Sequence, residues 1–237
     1  EYIVHLAALL KPQSEEKPLK SLEINCKGTF NIFEAAKIFR NIKRVVWAST
    51  ADVYGPDINT EPRAEDDLKN PITVYGACKL LNEYVAGHYS RSFGVDIVGL
   101  RFTVVYGPGR FRGASARITD VIELPARGKP VEILYADTEV NWQYVKDAVN
   151  AIILACYAKN LKHKIFNTGG FVHTIREVAE IVKRFIPDAD ITLKPGKMKM
   201  TAYLDINRAR EELGYEPKYN IERGVREHIS VIRSGKF

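Results

Sequence analysis

The chain alternates between short, wholly apolar segments and longer segments with helical periodicity, and this alternation most constrains its fold. Apolar runs of the kind found in strands buried on both faces occupy residues 2–8, 42–49 and 95–100. Amphipathic helical patterns over residues 19–39 and 73–93 separate them. Strands that alternate with helices favour a parallel sheet covered by helices on both faces. We therefore predict an α/β chain with a doubly wound parallel sheet.

Beyond residue 100 the pattern is less regular, but helices and short strands still follow one another. We predict helices over 115–126, 145–159, 174–185, 205–213 and 221–233, short strands at 131–134, 164–167 and 191–194, a turn at 106–109 and a loop from 55 to 70. Thr174 and Glu177 have the spacing of a capping box, which marks the start of one of these helices.

Charge and composition exclude several classes of protein. The net charge is +6, but basic residues alternate with acidic ones, which is typical of solvated faces and does not predict nucleic-acid binding. The longest apolar run, residues 148–158, is too short to span a membrane, and the first residues lack the pattern of a signal peptide. Cys26, Cys78 and Cys156 have no metal-ligand spacing, so we expect no metal site and reduced thiols in a cytoplasmic protein.

Several polar residues follow the predicted strands at the edge where a ligand would bind. Tyr75 and Lys79 lie four residues apart near the start of the helix at 73–93, so they share one face of it. Thr50 follows the second strand, and Asn25 lies on the first long helix. Ligands of open α/β sheets bind beyond the carboxyl ends of the strands. A lone helical tyrosine is usually a core or interface residue, so it is the combination that indicates a site.

Taken in order, the motifs of this chain resemble those of the extended short-chain dehydrogenases/reductases, in particular the NAD-dependent epimerases and dehydratases. The motifs are His5-Leu-Ala-Ala, Asn25-x-x-Gly-Thr, Ala48-Ser-Thr-Ala-x-Val-Tyr-Gly, Tyr75-x-x-x-Lys79, Leu100-Arg-x-Thr-Val-Val-Tyr-Gly-Pro-Gly, Tyr144-Val-Lys-Asp, Phe166-Asn-Thr-Gly and Leu213-Gly-Tyr-x-Pro. Each motif is weak alone, but their order and spacing extend over essentially the whole chain.

The resemblance implies a role for each motif residue. Tyr75 is the acid/base, Thr50 hydrogen-bonds the same substrate oxygen, and Lys79 activates the phenol and holds the nicotinamide ribose. A free phenol titrates near pH 10, so a nearby cation is needed to favour the phenolate at neutral pH. The cofactor implied is NAD, with NADP not excluded. The cofactor-lining residues are Leu6, Ala7, Ala8, Leu9, Asn25, Ser49, Tyr75, Lys79 and Thr103. The substrate-binding residues are Thr50, Ala51, Asp52, Tyr75, Val104 and Lys194.

The resemblance also implies a domain organisation. Residues 1–104, joined by 142–168, form the later part of a Rossmann-like NAD(P)-binding domain, and residues 105–141 and 169–237 form mainly a small substrate-binding lobe. The glycine-rich loop that cradles the cofactor pyrophosphate is absent from these 237 residues, as is the residue that selects between NAD and NADP. We therefore expect the working protein to be longer at its N-terminus. Helices 19–39 and 73–93 are expected to pair in a homodimer.

Three functions stay open at this level. The first is a nucleotide-sugar 4-epimerase, and the second is a dehydrogenase or reductase acting on a smaller polar substrate such as a sugar acid. The third is a cofactor-poor sensor or scaffold, against which the intact Thr50, Tyr75 and Lys79 argue. Val140 stands where nucleotide-sugar epimerases carry a diphosphate-binding arginine, and Lys194 is the one cation kept at such a position. A lone Asp52 makes a dehydratase the weaker alternative.

Overall fold

The computed structural model describes residues 1–39, 41–56, 61–110 and 113–235, which fold into two compact units. The first unit comprises Glu1–Phe102, Val149–Thr168 and Tyr203–Glu216, and the second comprises Thr103–Ala148, Gly169–Ala202 and Pro217–Phe237. Residues 57–60 of the predicted loop lie outside the described residues.

The described residues form strands and helices in alternation. The strands are β1 Tyr2–His5, β2 Arg44–Thr50, β3 Ile97–Phe102, β4 Val104–Tyr106, β5 Val131–Ile133, β6 Glu139–Tyr144, β7 Ile165–Asn167, β8 Phe171–Thr174 and β9 Ile191–Leu193. The α-helices are α1 Gln13–Glu16, α2 Pro18–Ser21, α3 Gly28–Ile38, α4 Val74–Phe93, α5 Ala116–Ala126, α6 Val145–Tyr157, α7 Ile175–Phe185, α8 Asn207–Leu213 and α9 Ile221–Arg233. A π-helical segment, Leu22–Lys27, joins α2 to α3, and a 3₁₀ turn, Ala51–Tyr54, follows β2.

The first unit contains the predicted parallel sheet, so the fold class is confirmed. Its strand order is β1-β2-β3-β7, with every neighbouring pair parallel. Val45, Val46 and Trp47 of β2 are fully buried, as expected for a strand covered on both faces. Because the strands are parallel and in register, their carboxyl ends, at His5, Thr50 and Phe102 for the first three, lie along one edge.

Helix α4 confirms the helix predicted over 73–93. The Thr73 side chain accepts a hydrogen bond from the backbone N–H of Gly76, which caps the N-terminus. Gly94 ends the helix in the left-handed conformation, at φ 68°. The helix predicted over 19–39 differs from the structure because the π-helical segment interrupts it. Sequence periodicity alone does not reveal a local change from i+4 to i+5 hydrogen bonding.

The second unit holds two small sheets that the sequence prediction covered only in part. Its three-stranded sheet has the order β4-β6-β8, with β4 parallel and β8 antiparallel to β6, and β5 pairs in parallel with β9. Helices α5, α7 and α9 pack on one another around an apolar core that includes Trp142, Val178 and Val225. The prediction missed β4, β6 and β8. They are short, and their stability comes from pairing with each other rather than from local sequence.

The observed units also differ from the predicted domain boundaries. Residues 103–104 and 142–148 belong to the second unit, because β4 pairs with β6. Residues 203–216 belong to the first unit, because Ala209, Leu213 and Tyr215 pack in the same apolar cluster as residues of β2 and β3.

Among the described residues, no helix has both the length and the apolar composition needed to cross a bilayer. The three cysteines are free thiols, and all are buried.

Candidate active site

The carboxyl end of β2 is fastened to one face of α4 by two hydrogen bonds. The Lys79 ammonium donates to the backbone carbonyl of Ala48 at 2.7 Å, and the Ser49 hydroxyl donates to the Glu83 carboxylate at 2.6 Å. Lys79 and Glu83 are four residues apart, so they project from the same side of the helix. Tyr75 lies one turn earlier on that side. The helix therefore presents Tyr75 and Lys79 at the end of the strand that carries Thr50.

Lys79 is a buried cation beside the Tyr75 ring. Its side chain is 1% exposed, and Nζ lies 5.7 Å from the centroid of the Tyr75 ring and 5.6 Å from that of Trp47. Burial lowers the pKa of Lys79 to about 8, so at neutral pH the ammonium form still predominates. A positive charge at this distance from the ring stabilises phenolate relative to phenol. The pair thus has the chemistry of an activated acid/base.

Thr50 lies at the junction between β2 and the 3₁₀ turn. Its hydroxyl oxygen accepts a hydrogen bond from the backbone N–H of Asp52 at 3.2 Å. The start of α4 lies directly against this turn, since a Cβ built on Gly76 would come within 2.8 Å of the Asp52 carbonyl oxygen. The missing side chain at Gly76 therefore permits the close approach. Through this contact and the Lys79 hydrogen bond, Thr50, Tyr75 and Lys79 lie at the same end of the sheet.

Asn25 holds the backbone that follows β1. Its side chain accepts from the backbone N–H of Leu9 at 2.8 Å and donates to the carbonyl of Leu9 at 3.0 Å. Asn25 belongs to the π-helical segment and is fully buried. Its own backbone carbonyl accepts from the Asn82 side chain of α4 at 2.8 Å. Asn25 thus links the β1 end to α4, whereas Leu6 and Ala7 remain exposed next to it.

A buried polar network beneath this site escaped the sequence prediction. Arg101 of β3 forms a bidentate pair with Glu83, with nitrogen–oxygen distances of 2.9 and 2.7 Å. Arg101 also donates to the hydroxyl of Tyr54, which in turn donates to the Asn167 side chain at 2.8 Å. Ser49, predicted to line the cofactor, is part of this network through Glu83. The one sequence signal was the arginine inside a buried strand, which needs an acidic partner.

A short segment between β1 and α2 also contacts the site and was not predicted. Lys11 forms an ion pair with Asp52 of the 3₁₀ turn. The Glu15 carboxylate of α1 accepts from the backbone N–H groups of Val74 at 3.0 Å and Tyr75 at 3.1 Å. Such contacts bridge about sixty residues of sequence, so no local pattern announces them.

The remaining predicted residues occupy different surroundings. Ala51 is buried in the 3₁₀ turn of the first unit. In the second unit, the Thr103 hydroxyl donates to the Asn141 side chain at 3.1 Å, and Val104 packs in the apolar core. Lys194 is half exposed and lies 3.7 Å from the Glu132 carboxylate. The substrate roles assigned to these side chains stay predictions.

The residues at the sheet edge fit the nicotinamide end of a dinucleotide. In open α/β sheets such ligands lie beyond the carboxyl ends of the strands, here next to residues 6–8, of which Leu6 and Ala7 are exposed and Ala8 is half-buried. Within the described part of the chain, Lys79 donates one side-chain hydrogen bond, to Ala48, although an ammonium carries three N–H donors. The other donors suit ribose hydroxyl oxygens.

Comparison with known proteins agrees with this geometry. Residues 1–169 match the NAD dependent epimerase/dehydratase family. A UDP-glucuronate 4-epimerase of Thermodesulfobacterium geofontis is 30% identical over 251 residues, which cover 99% of this chain and 75% of that protein.

Solved structures show the same fold. The UDP-glucose 4-epimerase of Thermotoga maritima, solved with UDP-glucose, has a TM-score of 0.88 and 27% identity, covering 100% of this chain and 78% of that one. The L-threonine dehydrogenase of Phytophthora infestans has a TM-score of 0.90 over 100% of this chain and 80% of that one, and at 22% identity it supports the fold alone. The chain belongs to the NAD dependent epimerase/dehydratase family and is an NAD-dependent enzyme.

Proposed function

We propose that this enzyme is a nucleotide-sugar 4-epimerase, which oxidises a sugar hydroxyl and then reduces the resulting ketone from the other face. The observation that carries the proposal is the placement of Tyr75, next to a buried lysine and at the strand end that bears Thr50. The similarity to two nucleotide-sugar 4-epimerases along nearly the whole chain supports the substrate class.

Each site residue has a distinct task in this reaction. Tyr75, as phenolate, accepts the proton of the C4 hydroxyl, and Thr50 hydrogen-bonds the same oxygen so that it is oriented toward Tyr75. Bound NAD supplies the hydride acceptor, and in its reduced form the hydride donor. After the keto sugar has turned, so that the opposite face of C4 is reduced, Tyr75 returns the proton to the C4 oxygen. Lys79 keeps the phenolate form accessible at neutral pH throughout.

We assign the nicotinamide half of NAD to Lys79, to the backbone of residues 6–9 and to Asn25. We also propose a homodimer through α4 and the helical stretch from α2 to α3. Its support is the exposed apolar surface of these elements, where Leu22, Leu81 and Tyr84 are 46%, 44% and 69% exposed.

An assay of the purified protein tests the proposal. The protein is incubated with NAD and with a panel of UDP-sugars, a free uronic acid and L-threonine. Product sugars are separated by chromatography while absorbance at 340 nm reports net NADH. We expect a UDP-sugar to be converted into its C4 epimer with no net NADH, because oxidation and reduction balance within one turnover. Stoichiometric NADH from any member of the panel would instead identify a dehydrogenase, and inactivity toward every UDP-sugar would contradict the proposal.

A further inference from the structure

The N-terminus of α4, which carries Tyr75, is occupied by a carboxylate of the chain itself. Glu15 accepts the N–H groups of Val74 and Tyr75, and the Thr73 hydroxyl accepts that of Gly76. The first three amide donors of this 20-residue helix are therefore satisfied internally. Helix N-termini attract anions through exactly such unpaired amides and the positive end of the helix dipole. At α4 that attraction is already used.

Glu15 is a carboxylate at neutral pH. Partial burial acts to raise its pKa, but the hydrogen bonds from Val74 and Tyr75, together with Ser14 and the nearby Lys11, outweigh this and lower the pKa below its usual value. Replacing an empty helix N-terminus by a carboxylate changes the local potential from positive to nearly neutral or negative. Glu15 bonds the backbone N–H of Tyr75, the residue that touches the substrate in the proposed reaction, so the change in potential acts directly at this residue.

Lysines also contact this region. Lys11 is close enough to lower the pKa of Glu15, but it also forms an ion pair with Asp52. Lys79 is buried beside the Tyr75 ring and donates to the Ala48 carbonyl. The charge bonded to the Tyr75 backbone is therefore negative, and the Lys79 cation is enclosed.

We propose that Glu15 is a specificity-determining residue that favours neutral hexoses over hexuronates as the reacting sugar. The inference rests on the proposed 4-epimerase function. The Glu15 carboxylate is bonded to the backbone N–H of Tyr75, and a sugar whose C4 hydroxyl is bonded to the Tyr75 phenol carries its C6 group on C5, the neighbouring ring carbon. The inference places this C6 group on the Glu15 side of Tyr75, where a C6 carboxylate would feel the Glu15 charge over a distance comparable to the screening length of about 10 Å at 0.1 M salt. Like charges at such separations repel, whereas a neutral CH₂OH group is indifferent.

Two charge-neutralising variants at adjacent positions test the inference. Glu15→Gln keeps an oxygen acceptor for the α4 amides and removes the charge, and Glu16→Gln removes the same charge one residue away. The measurement is kcat/KM for UDP-glucose and for UDP-glucuronate at low salt. We expect wild type to prefer UDP-glucose. Glu15→Gln should raise the glucuronate-to-glucose ratio by about five- to tenfold, as expected for loss of one charge repulsion near a protein surface. Glu16→Gln should leave the ratio within about twofold, since the carboxylate that bonds the α4 amides is that of Glu15.

The controls separate failure of this inference from failure of the proposed function. Turnover of neither sugar nucleotide by wild type would refute the 4-epimerase itself. Turnover of both, with an unchanged ratio in Glu15→Gln or equal shifts in the two variants, would overturn the role of Glu15 alone. If Glu15→Gln unfolds, Glu15→Asp and wild type at 0.05 and 0.5 M salt decide the matter. The aspartate variant should keep the preference, and high salt should weaken it. A preference insensitive to salt would count against the inference.

Discussion

The two units of the molecule use buried charge differently. The first unit buries Arg44, at the start of β2, together with Lys79, Arg101 and Glu65. The last three hydrogen-bond groups at or near the carboxyl edge of its sheet. In the second unit the described core is built mainly from aliphatic and aromatic side chains. Among its described residues, the buried pair His228–Glu123 joins two helices at 2.7 Å, and the buried Asp147 carboxylate accepts from the backbone N–H groups of Lys218 and Tyr219.

This difference indicates which unit we expect to carry the catalytic residues. Burying a charge costs free energy unless it is paired and hydrogen-bonded, so such groups persist where position matters more than stability. In the first unit the buried charges fasten consecutive residues of β2, Ala48 and Ser49, to α4. Variants there should therefore change catalysis and cost more stability, whereas comparable variants in the second unit should cost less stability and leave kcat unchanged. Four predictions test this contrast.

The largest effect is expected from Tyr75→Phe, which removes the proposed acid/base and leaves the ring. Positioned acid/base groups contribute on the order of 10²- to 10⁴-fold to rate, so we expect kcat to fall about a thousandfold. The melting temperature should change little. Tyr157→Phe is the matched control, because Tyr157 is a tyrosine of the same unit that is 66% exposed. Steady-state kinetics of both variants checks the prediction. Near-normal turnover by Tyr75→Phe would contradict the assignment of the catalytic residues to the first unit.

The second prediction concerns the buried pair beneath the site. Glu83→Ala leaves the Arg101 guanidinium, which is 2% exposed, without its carboxylate partner. Breaking a buried ion pair in this way lowers the free energy of unfolding by about 3 kcal/mol or more. Glu123→Ala in the second unit should cost less, about 1–2 kcal/mol, because its histidine partner can remain neutral. Urea denaturation measures the free energy of unfolding of both variants. Equal losses of this free energy would contradict the expected difference between the two units.

Some elements of the first unit could be predicted from local features of the sequence. The parallel sheet and α4 were predictable because apolar runs, helical periodicity and a terminal glycine are local signals. The motif residues Thr50, Tyr75 and Lys79 could be assigned to one sheet edge because parallel strands end together. Their catalytic roles remain predictions that the variants above address.

Other features depend on partners distant in sequence and were not predictable. In the sequence, nothing distinguishes Glu15 from other acidic residues, whereas in the structure its carboxylate accepts the first two backbone N–H groups of α4. The sheet of β4, β6 and β8 forms only when three short strands meet, and Asn25 of the π-helical segment bonds the backbone of Leu9, 16 residues away. Each of these depends on tertiary context, which overrides local propensity.

The third prediction uses the lowered pKa of Lys79. With a pKa of about 8, set by burial, the ammonium loses its proton as pH rises above that value, and its support for the phenolate is lost. We expect kcat to decline above pH 8, by about tenfold for each further pH unit, as follows from a single required proton. Stability should respond oppositely. Between pH 8 and 10.5 the unfolded state binds more protons at this lysine than the folded state, so its contribution to stability rises with pH.

Kinetic and unfolding profiles from pH 6 to 10 test both signs. Lys146→Gln, which removes an exposed lysine of the second unit, should leave the alkaline decline of kcat in place. A wild-type profile that is flat to pH 10 would show that the charge of Lys79 is not required.

The smallest effect is expected in the second unit, at His228. Burial lowers the pKa of this imidazole, while Glu123 acts to raise it and Arg127 to lower it. Nε2 contacts Glu123, and Nδ1 has no hydrogen-bond partner among the described residues. Because the folded-state pKa lies below 6.5, the unfolded state binds more protons as pH falls through 6.5, and stability is lost on the acid side.

Urea denaturation at pH 7, 6 and 5 measures this loss. We expect His228 to contribute at most about 1.4 kcal/mol per pH unit, the limit for one proton. His228→Gln should therefore show a shallower fall in stability between pH 7 and 5 than wild type, whereas His88→Gln, at an exposed histidine of α4, should keep the wild-type slope. Since His228 belongs to the unit whose buried pair joins helices, its replacement should leave kcat at pH 7.5 unchanged. A loss of kcat as large as that of Tyr75→Phe would mean that both units carry the chemistry.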